Sequence, residues 1–281
     1  MSKQIKRVLH PKVKSIIDEN DEVRIRFIQK GSFVEYEVIK VIWQEILDLL
    51  EQPVRPRMEG MLLVSPTNNG KTTMIRKFIV KYSPDIGNLV YVETPERTTL
   101  KEFYVEILNT LGYPAKSTRS TGDLRRKILV GLENQKVKML FFDEIQNLLD
   151  SRRDHKRDIL NGLKSLNNRA QIPIVLVGIE TAKEILDLDK QVADRYPAIE
   201  MPLWEDGTDD YYNLLATFEA LLPLKKPSNL HSVNIAKRLH AVSEGKIGRI
   251  TTIIRKCGIK AIRGGEERIT LSLLKSMPFR W

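Results

Sequence analysis

The chain has 281 residues, 42% hydrophobic and 29% charged, enough apolar material for one large α/β domain and a small accessory domain. Its 46 Lys and Arg against 36 Asp and Glu leave a formal net charge of +10, which favours polyanionic partners. The single cysteine, Cys257, excludes an internal disulfide, and His10, His155, His231 and His240 lack metal-ligand spacing. No apolar run has membrane-spanning length and the basic N-terminus lacks a secretory signal, so a cytoplasmic protein without membrane contact is expected.

Residues 1–60 read as a basic arm followed by an amphipathic helix. Lys3, Lys6, Arg7, Lys12 and Lys14 precede any acid, then Val38, Ile39, Ile42, Trp43, Ile46, Leu47, Leu49 and Leu50 share one broad face until Pro53 and Pro56. Residues 61–204 alternate strand and helix: MLLVS from Met61, a helix from Lys71, NLVYVE, helices around Leu100–Leu111 and Leu124–Leu132, KMLFFDE, a helix near Ile159–Leu166, IPIVLVG, a helix from Thr181, and AIEMPLW. Five short strands separated by helices predict an α/β fold with a parallel sheet, whose chemistry belongs at the strands' C-terminal ends. Residues 205–281 are helical throughout, over Tyr211–Leu222, Val233–Val242, Ile247–Ile262 and Ile269–Met277, with Gly245, Gly264 and Gly265 as stops. From Pro227 onward this segment carries 11 Lys and Arg against three Glu, so most of the excess charge lies there.

Two segments carry chemistry. In MLLVSPTNNGKTTMIRKF, an apolar strand enters a loop with Asn68, Asn69 and Gly70, and a helix opens at Lys71. Unpaired N–H groups of the first turn, aided by the helix dipole, suit a phosphate. Lys71 is placed to reach the β and γ phosphates of a nucleotide, and the Thr72 hydroxyl to ligate Mg²⁺. The pattern G-x-x-x-x-G-K-[ST] asks for glycine where Ser65 stands. Serine keeps the turn if its φ is negative. In the second segment, the apolar run from Val137 to Phe142 delivers Asp143 and Glu144 at the end of a buried strand. Asp143 would serve the Mg²⁺ shell and Glu144 would orient or deprotonate a water. Either motif alone has an ordinary alternative, since GKT occurs by chance and an Asp-Glu pair commonly opens a helix. The pair in this order points to a nucleotide triphosphate site.

The phrases RPRMEGMLLVSPTNNGKTT, FFDEIQNLL, IPIVLVG and SEGKIGRITTII resemble the TniB/TnsC type of AAA+ ATPase, the transposon-encoded target-selection ATPases, over roughly residues 20–275. The resemblance implies an AAA+ P-loop fold with a small C-terminal all-α lid, ATP and Mg²⁺ as ligands, homo-oligomers in a ring or filament on double-stranded DNA, and recruitment of a transposase, with a targeting factor as a further partner. It makes Lys71 and Thr72 the Walker A pair, within a nucleotide-binding set of Ser65, Asn68, Asn69, Gly70, Lys71, Thr72, Thr73 and Thr181. Asp143 and Glu144 become the Walker B pair, with Thr72 and Asp143 at the metal. Glu180 or Thr181 falls in the sensor 1 region. Arg249 matches sensor 2, and Arg195 stands where the family's arginine finger reaches a neighbour's ATP. The ordinary alternatives are a carboxylate partner on the nucleotide domain for Arg249 and a plain surface position for Arg195.

DNA contacts are expected from two loops that mix basic and hydroxyl side chains, Arg97, Thr98, Thr99 and Lys101 in TPERTTLKEF, and Lys116, Thr118 and Arg119 in KSTRSTGD. Alternatively they are solvated loops with helix caps at Thr98 and at Thr121 or Asp123. The function expected is ATP-dependent, sequence-independent DNA binding that regulates transposition and selects its target, with hydrolysis driving disassembly or remodelling. A helicase loader or replication initiator, and a scaffold that binds nucleotide without hydrolysing it, are the rival readings.

Overall fold

A computed structural model describes residues 8–279. The chain forms two compact units, Glu37–Pro202 and a second that joins the residues through Tyr36 to those from Leu203 onward. The helical unit opens with α1 (Pro11–Lys14) and α2 (Asp21–Lys30). The α/β unit contains α3 (Glu37–Glu51), β1 (Met61–Val64), α4 (Lys71–Ile86), β2 (Asn88–Glu93), α5 (Leu100–Thr110), α6 (Thr121–Asn134) and β3 (Val137–Asp143). It continues through a 3-10 turn (Ile145–Asp150), α7 (Arg153–Ala170), β4 (Ile174–Gly178), α8 (Ala182–Leu186), α9 (Lys190–Ala193) and β5 (Ala198–Glu200). Helices α10 (Asp209–Ala220), α11 (Val233–Ser243), α12 (Ile247–Arg263) and α13 (Leu271–Ser276) complete the helical unit.

The five strands are parallel, in the order β2-β3-β4-β1-β5. Strands covered on both faces read as unbroken apolar runs, and every residue of β1 and β4 is buried. Alternation along β3 serves the two faces in turn. Phe141 packs against Phe78 of α4 at 6.0 Å, and Phe142 against Phe103 of α5 at 5.1 Å. The edge strand β5 is three residues long and half open to solvent. Because β4 lies between β1 and β3, the loops leaving those two strands face each other across its end.

Residues 1–60 do not form one appendage. The apolar face of α3 (Ile39, Ile42, Trp43, Ile46) is buried within the α/β unit, where Trp43 meets Phe78 at 6.0 Å and Tyr82 at 5.8 Å, both on α4. An amphipathic helix must cover its stripe, and α4 supplies the cover. The segment before Tyr36 belongs to the helical unit. Arg24 of α2, fully buried, donates to both carboxylate oxygens of Glu267 at 2.7 Å and to Pro223 O at 3.1 Å. A buried guanidinium requires such a bidentate partner. Of the basic N-terminal residues, Lys12 and Lys14 lie exposed on α1, whereas Lys3, Lys6 and Arg7 lie outside the described residues.

Helices α5 and α6 run the same way. Gln135 Nε2, just past α6, donates to Leu111 O just past α5 at 2.5 Å, and a Cβ on Gly131 would sit 3.0 Å from the Tyr113 ring. With their C-terminal ends together, the N-termini of these helices face the rim where the strands end. Helix α7 also starts at this rim, since it leaves the end of β3 and returns to the start of β4.

Candidate nucleotide and nucleic-acid site

The loop from Ser65 to Gly70 joins β1 to α4. Asn68 (φ 64°) and Gly70 (φ 86°) take left-handed backbone conformations, which turn the chain tightly into the helix. Ser65 is not among the residues of positive φ, so the position does not demand glycine. Its side chain is structural. The Ser65 hydroxyl donates to Met201 O at 2.7 Å and accepts from Asn69 Nδ2 at 2.8 Å, while Asn69 also donates to Pro202 O at 2.9 Å. Ser65 N–H donates to Gly178 O at 3.2 Å, stitching the loop to β4. As the N-cap of α4, Gly70 has no side-chain oxygen, so no cap side chain engages the N–H groups of the first turn.

Lys71 is 5% exposed and donates to Ser65 O at 2.7 Å and Pro66 O at 3.1 Å. Burial pulls its ammonium below the usual lysine range, opposed by the carboxylates of Glu144 and Asp143. Asp143 is fully buried, and its Oδ2 accepts from Thr72 Oγ1 at 2.6 Å and from Tyr91 Oη at 2.8 Å. Its Oδ1 accepts from Glu144 N–H at 2.8 Å. The structure thus brings Lys71, Thr72, Asp143 and Glu144 together, with Asn68 exposed in the loop and Thr73 exposed on the first turn. Tyr91, on β2 with the Arg76 guanidinium 4.8 Å above its ring, is a neighbour that motif reading passes over. Burial, followed by the Asp143 charge, pushes its phenol above the usual range.

The donor set fits a nucleotide triphosphate with Mg²⁺. The uncapped helix start and buried ammonium suit phosphate, and the Thr72 hydroxyl beside one carboxylate offers hard oxygens. Among the described residues no group of three or more His, Cys, Asp or Glu could hold a metal.

Glu180, in the sensor 1 region, points outward, its side chain 68% exposed and paired with Lys183 at 2.6 Å, while Thr181 stands at the N-cap position of α8. Arg249 pairs with Glu244 at 2.6 Å inside the helical unit, so its carboxylate partner comes from its own unit. Arg195 is 6% exposed, not a surface residue, and donates to Asn167 Oδ1 at 3.1 Å and Asn168 Oδ1 at 3.0 Å. It lines a cleft with Lys164 and Arg169, and desolvation holds its guanidinium below the usual range.

At the rim, Arg97 and Lys101 are exposed by the start of α5, and Lys116, Thr118 and Arg119 are exposed before α6. The hydroxyls divide differently from expectation. Thr98 is buried and Thr99, not Thr98, caps α5 in a capping box with Glu102, while Ser120, not Thr121 or Asp123, caps α6. Motif reading also misses Arg152, Arg153, Lys156 and Arg157 at the start of α7. Packing of Leu100 and Tyr104 of α5 against Gly162 puts α7 beside α5, and His155 lies close enough to lower the Glu102 carboxyl, below the dominant Thr99 hydrogen bonds. The sequence carries a basic run there, RRDHKR, just past the turn that follows Asp143 and Glu144. Among the described residues no helix is long and apolar enough to cross a membrane.

The family model of TniB, a bacterial TniB protein, matches residues 24–206. The comparison with curated proteins gives no match. Similar solved structures include the Aeropyrum pernix ORC2 protein in ADPNP-ADP complexes, with a TM-score of 0.65 and 16% identity over 89% of this chain and 70% of that one. The Aeropyrum pernix ORC1 protein in complex with DNA gives a TM-score of 0.60 and 16% identity over 90% and 68%. AMPPCP-bound DnaA from Aquifex aeolicus gives 0.55 and 12% over 83% and 66%. The match over more than half its length shows that the chain belongs to the TniB family, and its five-stranded parallel sheet and its likeness to the ORC and DnaA structures show the AAA+ fold.

Proposed function

We propose that this chain is an ATP-hydrolysing, sequence-independent DNA-binding regulator of transposition, which oligomerises on duplex DNA, marks a target and recruits a transposase. Hydrolysis drives its disassembly or remodelling. The observation that carries this reading is the 2.6 Å bond from Thr72 to Asp143, which joins the two halves of a nucleotide site beneath a rim of exposed arginines and lysines.

Lys71 neutralises phosphate charge, and the α4 first turn holds the anion. Thr72 and Asp143 would hold Mg²⁺, which supplies electrostatic stabilisation of phosphate charge when bound. Glu144 orients the attacking water and takes its proton. The cationic rim fixes the DNA backbone through phosphate contacts without reading bases. Arg195 acts as a finger toward a neighbouring subunit's ATP only if its hydrogen bonds to Asn167 and Asn168 are released on assembly. Arg249 acts as sensor 2 on the same condition with respect to Glu244.

Likeness to ORC and DnaA structures favours a second reading, a helicase loader or initiator. The scaffold reading draws less support, because Ser65 occupies its place without a glycine-like φ. The test is phosphate release with and without duplex DNA for wild type and Glu144→Gln. Turnover stimulated by DNA and abolished in the variant, with ATP binding kept, supports the proposal; a variant as fast as wild type removes Glu144 from the role. Recovery of a replicative helicase instead of a transposase in pull-downs decides for the initiator reading.

A further inference from the structure

Strand β4 ends in Gly178 followed by Ile179, and Glu180 faces solvent. The space over the end of β4 is taken by Gln146, from the 3-10 turn that follows Glu144. Gln146 Oε1 accepts from Ile179 N–H at 3.2 Å, and Gln146 Nε2 donates to Glu144 Oε2. The backbone N–H can only donate, so it dictates which end of the amide faces Glu144. The other carboxylate oxygen, Oε1, is left for a water. Gly178 is part of the arrangement, because a Cβ there would lie 2.7 Å from Gln146 Oε1. Glu144 itself sits in a left-handed conformation (φ 54°), so the backbone places its side chain away from the ordinary helical direction and the amide fixes where it ends.

We propose that Gln146 is a positioning residue that holds the Glu144 carboxylate against the end of β4. This rests on the reading of Glu144 as the group that activates water. A carboxylate displaced by about 1 Å loses on the order of 10²-fold in rate, while nucleotide binding, which does not pass through Glu144, is spared.

The test compares wild type, Gln146→Glu, Gln146→Met and Glu144→Gln. Three quantities are measured: steady-state kcat and KM for phosphate release, affinity for a fluorescent ATP analogue, and hydrogen exchange of the Ile179 amide without nucleotide. Gln146→Glu keeps the acceptor for Ile179 but replaces the donor to Glu144 with a like charge. The expected result is a loss of about 10²-fold in kcat, unchanged KM and analogue affinity, and wild-type protection of Ile179. Gln146→Met loses kcat similarly and also exchanges Ile179 faster. Wild-type kcat in Gln146→Glu while Glu144→Gln is inactive overturns the proposal, as does a parallel loss of nucleotide affinity or unchanged Ile179 exchange in Gln146→Met. Wild-type turnover in Glu144→Gln overturns the reading on which it rests.

Discussion

Replacing Ser65 by the glycine of the usual P-loop pattern should weaken this protein instead of repairing it. The Ser65 hydroxyl joins Met201 O (2.7 Å) to Asn69 Nδ2 (2.8 Å), and the residue is 3% exposed. Asn69 keeps Met201 O and Pro202 O as acceptors in the variant, so no buried donor is orphaned and the lost bonds cost about 1 kcal/mol. Glycine adds backbone freedom to the unfolded chain worth about 0.5–1 kcal/mol. The combined loss of about 2 kcal/mol lowers the melting temperature of a unit this size by about 4–8 °C. The α/β unit is followed by circular dichroism melting with and without ATP, and affinity by calorimetry. A Ser65→Gly protein that melts at or above the wild-type temperature and binds ATP more tightly would refute the assignment of Ser65 as a structural tie.

The Arg24–Glu267 pair makes the helical unit acid-sensitive. Arg24 holds the Glu267 carboxyl below its usual 4.5, so this contribution is complete above 4.5 and is lost as pH falls through the depressed native value. Glu267→Ala removes that acid-dependent step and, by leaving a buried guanidinium short of a partner, costs about 3 kcal/mol in urea unfolding at neutral pH; a stability curve still as steep in acid would contradict it. At the rim, Arg97→Ala with Lys101→Ala and Arg157→Ala should reduce the log–log salt dependence of DNA binding by about 2.7, at about 0.9 per phosphate, and leave ATP binding intact. An unchanged slope places the DNA elsewhere.

The parts that were legible before the structure are those where one short stretch decides its own surroundings. Strands β1 and β4 are unbroken apolar runs because both faces are covered, β3 is interrupted only by exposed Lys138 before its closing Asp143, and the GKT and Asp-Glu motifs announce themselves by their order after such strands. The face of α3 could be read from its period, but periodicity says only that a partner exists, and α4 became that partner through Trp43 and Phe78. The tie from Arg24 to Glu267 spans 243 residues with no local pattern to reveal it. Helix caps fell one residue away because Thr98, Thr99, Ser120 and Thr121 offer neighbouring hydroxyls of similar capping power. Gln146 carries no signature at all, being one polar residue in a turn whose task depends on Ile179, just past the end of β4. Arg152, Arg153, Lys156 and Arg157 match no motif, and only the packing of α7 beside α5 sets them next to Arg97 and Lys101.

The central claim is that a triphosphate lodges between Lys71 and the Asp143–Glu144 pair. Titration calorimetry of ATP with Mg²⁺ into wild type and Lys71→Ala tests it most directly. A saturable heat in the wild type that disappears in Lys71→Ala, with the variant's melting profile otherwise native, is the predicted result. Equal heats in both proteins, or none in the wild type, would contradict it.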